Sequence, residues 1–251
     1  MNSFLFASVL FGCLLAVLLL GRAVRRHLPE NHLSADSKDS VKLAMGLVAT
    51  MTALLLGLLI SSAKEAYDTQ RSEVIQMAAS VAFLDRVLTL YGPEGTDART
   101  KFHDAVADGV RRMWPEDQGS PVDLRPAAPG ADEVYFAIQH LTPGDDTQRS
   151  LKAQAAALAI DLGQIRGMLA AQSVPSISTP LLMAVVGWIG ILFLSFSIFA
   201  PPNATTGLAL VAAALSVVVA VFLVLELDQP LSGMIRISGE PMYNVLSHFA
   251  R

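Results

Sequence analysis

VKLAMGLVATMTALLLGLLISSAKEAYDTQRSEVIQMAASVAFLDRVLTLY, residues 41–91, decides the fold. After Lys42 its first half runs apolar and uncharged to Ala63, and about 20 such residues suffice for a helix to cross the hydrocarbon core. Its second half is striped instead: Val74, Met77, Val81, Leu84, Leu88 and Tyr91 follow at spacings of 3, 4, 3, 4 and 3. That alternation holds one face of a helix apolar and leaves the other wet. No proline interrupts the stretch, and both of its glycines, Gly46 and Gly57, fall in the apolar half. The stretch predicts one helix of about 50 residues, roughly 75 Å long at 1.5 Å per residue, begun in lipid and finished in water. Gly92 and Pro93 then stop it.

Working outward, three further blocks have the same apolar character. Together the four cover residues of about 4–21, 41–63, 180–200 and 206–227, none with a charge in its interior. A buried helix of a water-soluble core would account for one such block, but not for four. Composition agrees: only 16% of the 251 residues are charged, against about a quarter in soluble domains. The first block has no Lys or Arg before it and no small-residue cleavage site after it, while RAVRR follows at 22–26. That pattern reads as a retained span rather than a leader. The single cysteine, Cys13, lies inside it, so no internal disulfide is available.

Residues 64–178 form the one long polar insertion. Near its end a second seam appears at Leu151, Ala155, Leu158, Leu162, Ile165 and Leu169, spaced 4, 3, 4, 3 and 4. Between the seams, 97–113 and 131–141 read as shorter amphipathic helices, separated by a Pro- and Gly-rich loop at 115–130. The two striped helices leave and re-enter the same membrane face, so they must run antiparallel, and their seams predict that they pair. Pro180 suits the first turn of the third span, and PPN at 201–203 folds spans three and four into a hairpin. Gly46, Thr50, Thr52 and Gly57 are small enough for helices to approach closely in lipid. The expected class is all-α: four transmembrane helices with an antiparallel helical bundle inserted between the second and third. Residues 228–251 follow as an amphipathic tail at the interface.

Charge sets the expected orientation. Arg22, Arg25, Arg26, Lys38 and Lys42 crowd the connection between spans one and two, while the turn between spans three and four has no basic residue. The positive-inside rule makes the first connection cytoplasmic and puts both termini and 64–178 outside, in the periplasm of a bacterial inner membrane. The insertion carries 16 acidic and 11 basic residues, which argues against nucleic acid as a partner. The lipid bilayer is the partner the spans require.

No enzyme signature is present. The five histidines are scattered without HExxH or paired spacing, and there is no Walker, GxGxxG or GxSxG pattern. No catalytic, cofactor-binding or metal-ligating residue is therefore expected. Adjacent His103 and Asp104 read as a solvated pair. Asp85 and Arg86, on the polar side of the first seam, read as an ion pair, either solvated or buried in the bundle. Glu226 and Asp228 close the fourth span within the compact run ELDQPLSG. They either mark where lipid ends or bind a cation or a nearby Arg236 or Lys64. Phe193, Phe196 and Phe199 are candidates for a hydrophobic constriction in an oligomeric pore, of the type that gates by dewetting.

Three runs carry a family resemblance: LLGLLISSAKEAYDTQRSEVIQMAA at 55–79, FLDRVLTLYGPEG at 83–95 and LVLELDQPLSGMIRIS at 223–238. They resemble the bestrophin-like domain family of four-span bacterial membrane proteins. The polar positions that fit are Asp68, Gln70, Glu73, Asp85, Arg86, Glu226 and Asp228, with Tyr91, Gly92, Pro230 and Gly233 beside them. The resemblance implies kinship with bestrophins, pentameric anion channels with four spans and a cytosolic helical domain between the second and third. It implies a homo-oligomer that passes small inorganic ions. The bestrophin pore and calcium motifs do not map onto this sequence, so none of their residues is carried over. The alternative is a non-conducting, membrane-anchored helical module that presents its bundle to a partner.

Overall fold

The computed structural model describes residues 3–27, 29, 35–115, 130–172, 178–201, 203–231 and 233–249, with 35–38 as backbone only. The expected loop at 115–130 lies largely outside them. All the regular structure described is helical. The helices are α1 (Ser3–His27), α2 (Ala35–Tyr91), α3 (Thr96–Met113), α4 (Ala131–Gln139), α5 (Asp146–Gln172), α6 (Thr179–Phe199), α7 (Ala204–Leu227) and α8 (Glu240–Phe249). Four of them, α1, α2, α6 and α7, are long and apolar enough to cross a membrane. α2 is unbroken over 57 residues, about 85 Å at the standard helical rise. Gly92 follows it at φ 105°, where an L side chain would be strained.

The chain divides into two compact units, Met1–Ala66 with Ser176–Asp228, and Tyr67–Pro175 with Gln229–Arg251. In the first unit α1 packs against α6 and α7. Ala7, Leu10, Leu14 and Leu18 of α1, Leu182, Val185, Ile189 and Phe193 of α6, and Ala214, Val218 and Val221 of α7 make its core together with Leu59 and Ala63 of α2. Spacings of three and four put each set on one helix face. Between α1 and α6 the backbones come close at Gly21. A Cβ placed on Gly21 would stand 2.6 Å from the Ser197 Cβ, and the Ser197 hydroxyl donates to the Leu18 carbonyl at 2.6 Å. Close approach thus falls at Gly21 rather than at Gly46 or Gly57, where an added Cβ meets nothing within 4 Å. At the start of α7 the Asn203 side chain caps the helix, accepting from the Thr206 N–H at 2.8 Å.

In the second unit every position of the first seam is buried: Val74, Met77, Val81, Leu84, Leu88 and Tyr91. The α5 seam packs into the same core. Polar contacts fix how the two helices run. Gln70 Nε2 donates to the Gln172 carbonyl at 3.2 Å, Ser80 Oγ to Asp161 Oδ2 at 3.3 Å, and Gln148 Nε2 to the Tyr91 carbonyl at 3.0 Å. As the α2 number rises the α5 number falls, so the pair is antiparallel along its length. α3 and α4 pack on each other, and α4 on α5.

The tail does more than the sequence suggests. Pro230 and Leu231 are buried, Gly233 turns the chain at φ 111°, and Leu231, Ile237 and Met242 enter the core of this second unit. Trp114 Nε1 donates to the Ile237 carbonyl at 3.0 Å, and α8 lies against α3. Sequence alone places these residues at a lipid interface because a short amphipathic segment looks the same beside lipid and beside a protein core.

Candidate functional site

The best-built polar site in the second unit centres on Asp85. Arg99 approaches from α3 as a fork, Nε to Oδ1 at 2.7 Å and Nη2 to Oδ2 at 3.1 Å. His103, one turn further on, places Nε2 2.6 Å from Oδ1. The Asp85 side chain is only 18% exposed. Burial pushes its carboxyl up, but hydrogen bonds from Arg99 and His103, and the charges behind them, outweigh burial and hold it below the ordinary carboxylate value. The same hydrogen bond raises the Arg99 guanidinium further. The His103 ring stacks on Phe249 at 3.9 Å between centroids and 6° between planes. One carboxylate on α2 thus ties down α3, and α3 in turn holds the end of α8.

Neither pair read from adjacent residues forms the site. Arg86 is exposed, and His103 turns to Asp85 rather than to its neighbour Asp104. Consecutive helical residues point about 100° apart, so they do not face each other. Arg99 and the role of His103 were missed because their partner sits on another helix. A one-turn spacing of basic and polar residues on α3 was the only signal.

Glu73 accepts from Gln172 Nε2 at 2.7 Å, and Gln70 is buried beside the same residue, so this group latches α2 to the end of α5. Asp68 is exposed on α2. Tyr91 is buried, and burial, then the charges of Glu94 and Asp145, push its phenol up. Glu226 is buried at 3% exposure, and Asp228 is the C-cap of α7, its N–H donating to the Val224 carbonyl at 3.1 Å. Among the described residues no three His, Cys, Asp or Glu side chains gather as a metal site.

The three phenylalanines of α6 do not share a surroundings. Phe193 is buried in the core of the first unit, Phe196 is 43% exposed, and Phe199 is intermediate. Six residues along an α-helix rotate a side chain by about 120° net, so a stripe with steps of three winds off any one face. The least covered apolar surface belongs to α2. Only 11% of its most apolar window is buried, against 28%, 33% and 28% for α1, α6 and α7. Leu43, Leu47, Leu54 and Leu58 all stand exposed.

The model of the bestrophin-like domain matches residues 12–242, from inside α1 to the first turn of α8. The chain belongs to the bestrophin-like domain family. It also matches a crystal structure of a bacterial bestrophin homolog from Klebsiella pneumoniae, solved with a point mutation. The TM-score is 0.67 at 14% identity, over 94% of this chain and 96% of that one. An identity that low shows a shared fold. No curated protein matches the chain. The family match spans both units and includes the tail up to Met242, consistent with the tail being part of a folded core.

Proposed function

We propose that this protein is a homo-oligomeric ion channel of a bacterial inner membrane. In this reading α1, the first half of α2, α6 and α7 cross the bilayer, and residues 64–178 form the bundle between the second and third spans. The observation that carries it is the uncovered span of α2. A helix whose own chain covers so little of it has surface to spare for copies of itself around an axis. Leu47, Leu54 and Leu58 of α2 and Phe196 of α6 are the proposed pore or subunit surface. Phe193, buried in the core of the first unit, and Phe199 are proposed as its supports. Membership in the bestrophin-like family and the fold shared with a bestrophin homolog support conduction of small inorganic ions.

The test is flux through purified protein in liposomes, read with chloride and with potassium. Chloride flux is the expected result, and Leu54→Trp should cut it by about fivefold or more if the bulk enters an apolar constriction. A monomer or dimer with no flux of either ion would overturn the channel and leave a membrane-anchored interaction module. The exposed Ile75, Phe83 and Leu90 of the seam helix favour that second reading, since they offer apolar surface to a partner.

The basic residues at the end of α1 and the start of α2 support a periplasmic bundle and periplasmic termini. Ser150, exposed on α5, reports sidedness. In a Cys13→Ser background, Ser150→Cys should react with an impermeant maleimide added to the periplasmic side. Reaction only after the inner membrane is broken would place the bundle in the cytosol.

A further inference from the structure

Within the second unit α2, α3, α4, α5 and α8 converge on a partly open cleft of about 140 Å³. That is near the size of an engineered apolar cavity, about 150 Å³, that stays dry and takes up small hydrophobic guests. Its walls are Val81, Leu84, Phe102, Val106, Leu162 and Met242, with Trp114 at one side. Among the described residues no carboxylate lines it, and the one charged residue on its wall is Arg166 of α5. A guanidinium has five N–H donors in a rigid fork, so it can receive a ligand oxygen beside an existing contact. Two glycines border the space. A Cβ at Gly163 would meet no atom within 4 Å, and one at Gly109 would meet only Arg166 Nη1 at 3.7 Å. Both sit within helices, where glycine is otherwise a poor choice.

We propose that this cleft binds a medium-chain aliphatic carboxylate, with the chain against the apolar walls and the carboxylate on Arg166. An apolar body matches the lining, and an anionic head matches the spare N–H donors of the Arg166 guanidinium. Nothing in the Asp85 site or in the spans of the channel reading requires this ligand. It is a separate site, and it can exist whether or not the protein conducts.

Trp114 provides the readout. The chain has two tryptophans, so Trp188→Phe leaves Trp114 as the sole emitter, fixed by its hydrogen bond to Ile237. With that full-length protein in nanodiscs, 8-bromooctanoate should quench emission saturably. Gly163→Leu, which fills open space and favours the helix, should abolish saturable quenching. Arg166→Leu should weaken the acid by about tenfold while leaving 8-bromooctanol unchanged, and Arg166→Lys should restore part of the difference. Quenching that persists in Gly163→Leu, or is absent throughout, would overturn the site. Equal binding of acid and alcohol would overturn the assignment of a carboxylate. Quenching by brominated phospholipid with no acid added would replace it with a lipid chain.

Discussion

Asp85→Ala lowers the stability of the protein by about 3 kcal/mol, the range seen when one member of a largely buried ion pair is removed. The substitution leaves Arg99 and His103 side chains, 35% and 22% exposed, facing a space that no longer accepts their hydrogen bonds. For a chain of this size the apparent melting temperature in nanodiscs should drop by roughly 6–12 °C. Arg86→Ala, at the adjacent exposed position, should stay within about 0.5 kcal/mol of the parent. A double cycle of Asp85→Ala with Arg99→Ala should show coupling of about 1 kcal/mol or more. Equal effects at positions 85 and 86 would mean that the clamp is solvated and contributes little.

The clamp also has a pH signature. The folded carboxyl of Asp85 lies below its ordinary value, so the folded state holds the charged form more firmly than the unfolded chain does. Its contribution is complete above the unfolded value near 3.9, declines as the pH falls below that, and is gone beneath the folded value. The stability gap between the parent and Asp85→Asn should therefore be present at about pH 5 and close in stronger acid. A gap that stayed open in strong acid would refute the clamp.

These contacts show which parts of the molecule were legible beforehand. The seams were, because burial on a helix leaves a periodic trace: all six positions from Val74 to Tyr91 are inside, and the α5 seam faces them. The Asp85 site was half legible. FLDRVLTLY marks the carboxylate, but its partners stand 14 and 18 residues away, at a distance fixed by the turn after Gly92 and by the angle at which α3 crosses α2. Sequence neighbours drew attention instead, and on a helix they point apart. The tail was illegible for a different reason. Its apolar residues do not say whether protein or lipid covers them, and only the hydrogen bond from Trp114 and the stacking of Phe249 on His103 decide it.

Gly21→Leu should have the second large effect, in the first unit. Gly21 is the one glycine of α1 pressed against another helix. The Ser197 Cβ and Oγ lie 2.6 and 2.9 Å from where its Cβ would stand, and the Leu194 backbone oxygen 3.1 Å away. Backbone cannot rotate aside as the end of a flexible chain can, so any side chain larger than hydrogen must push α1 and α6 apart. Overpacking of this kind costs about 1–3 kcal/mol, and the separation also breaks the Ser197–Leu18 hydrogen bond. In an apolar environment such bonds average about 0.6 kcal/mol and reach about 1.7. Ser197→Ala isolates that smaller part, because it removes the hydroxyl and keeps the Cβ. Gly12→Leu is the control on the same helix, since nothing lies within 4 Å of its Cβ. Unfolding in lipid should rank Gly21→Leu as most damaging, Ser197→Ala as mild and Gly12→Leu as neutral. If Gly21→Leu were as well tolerated as Gly12→Leu, α1 and α6 would not be in contact at this level. The core built on Leu14, Val185 and Val221 would then need a different register.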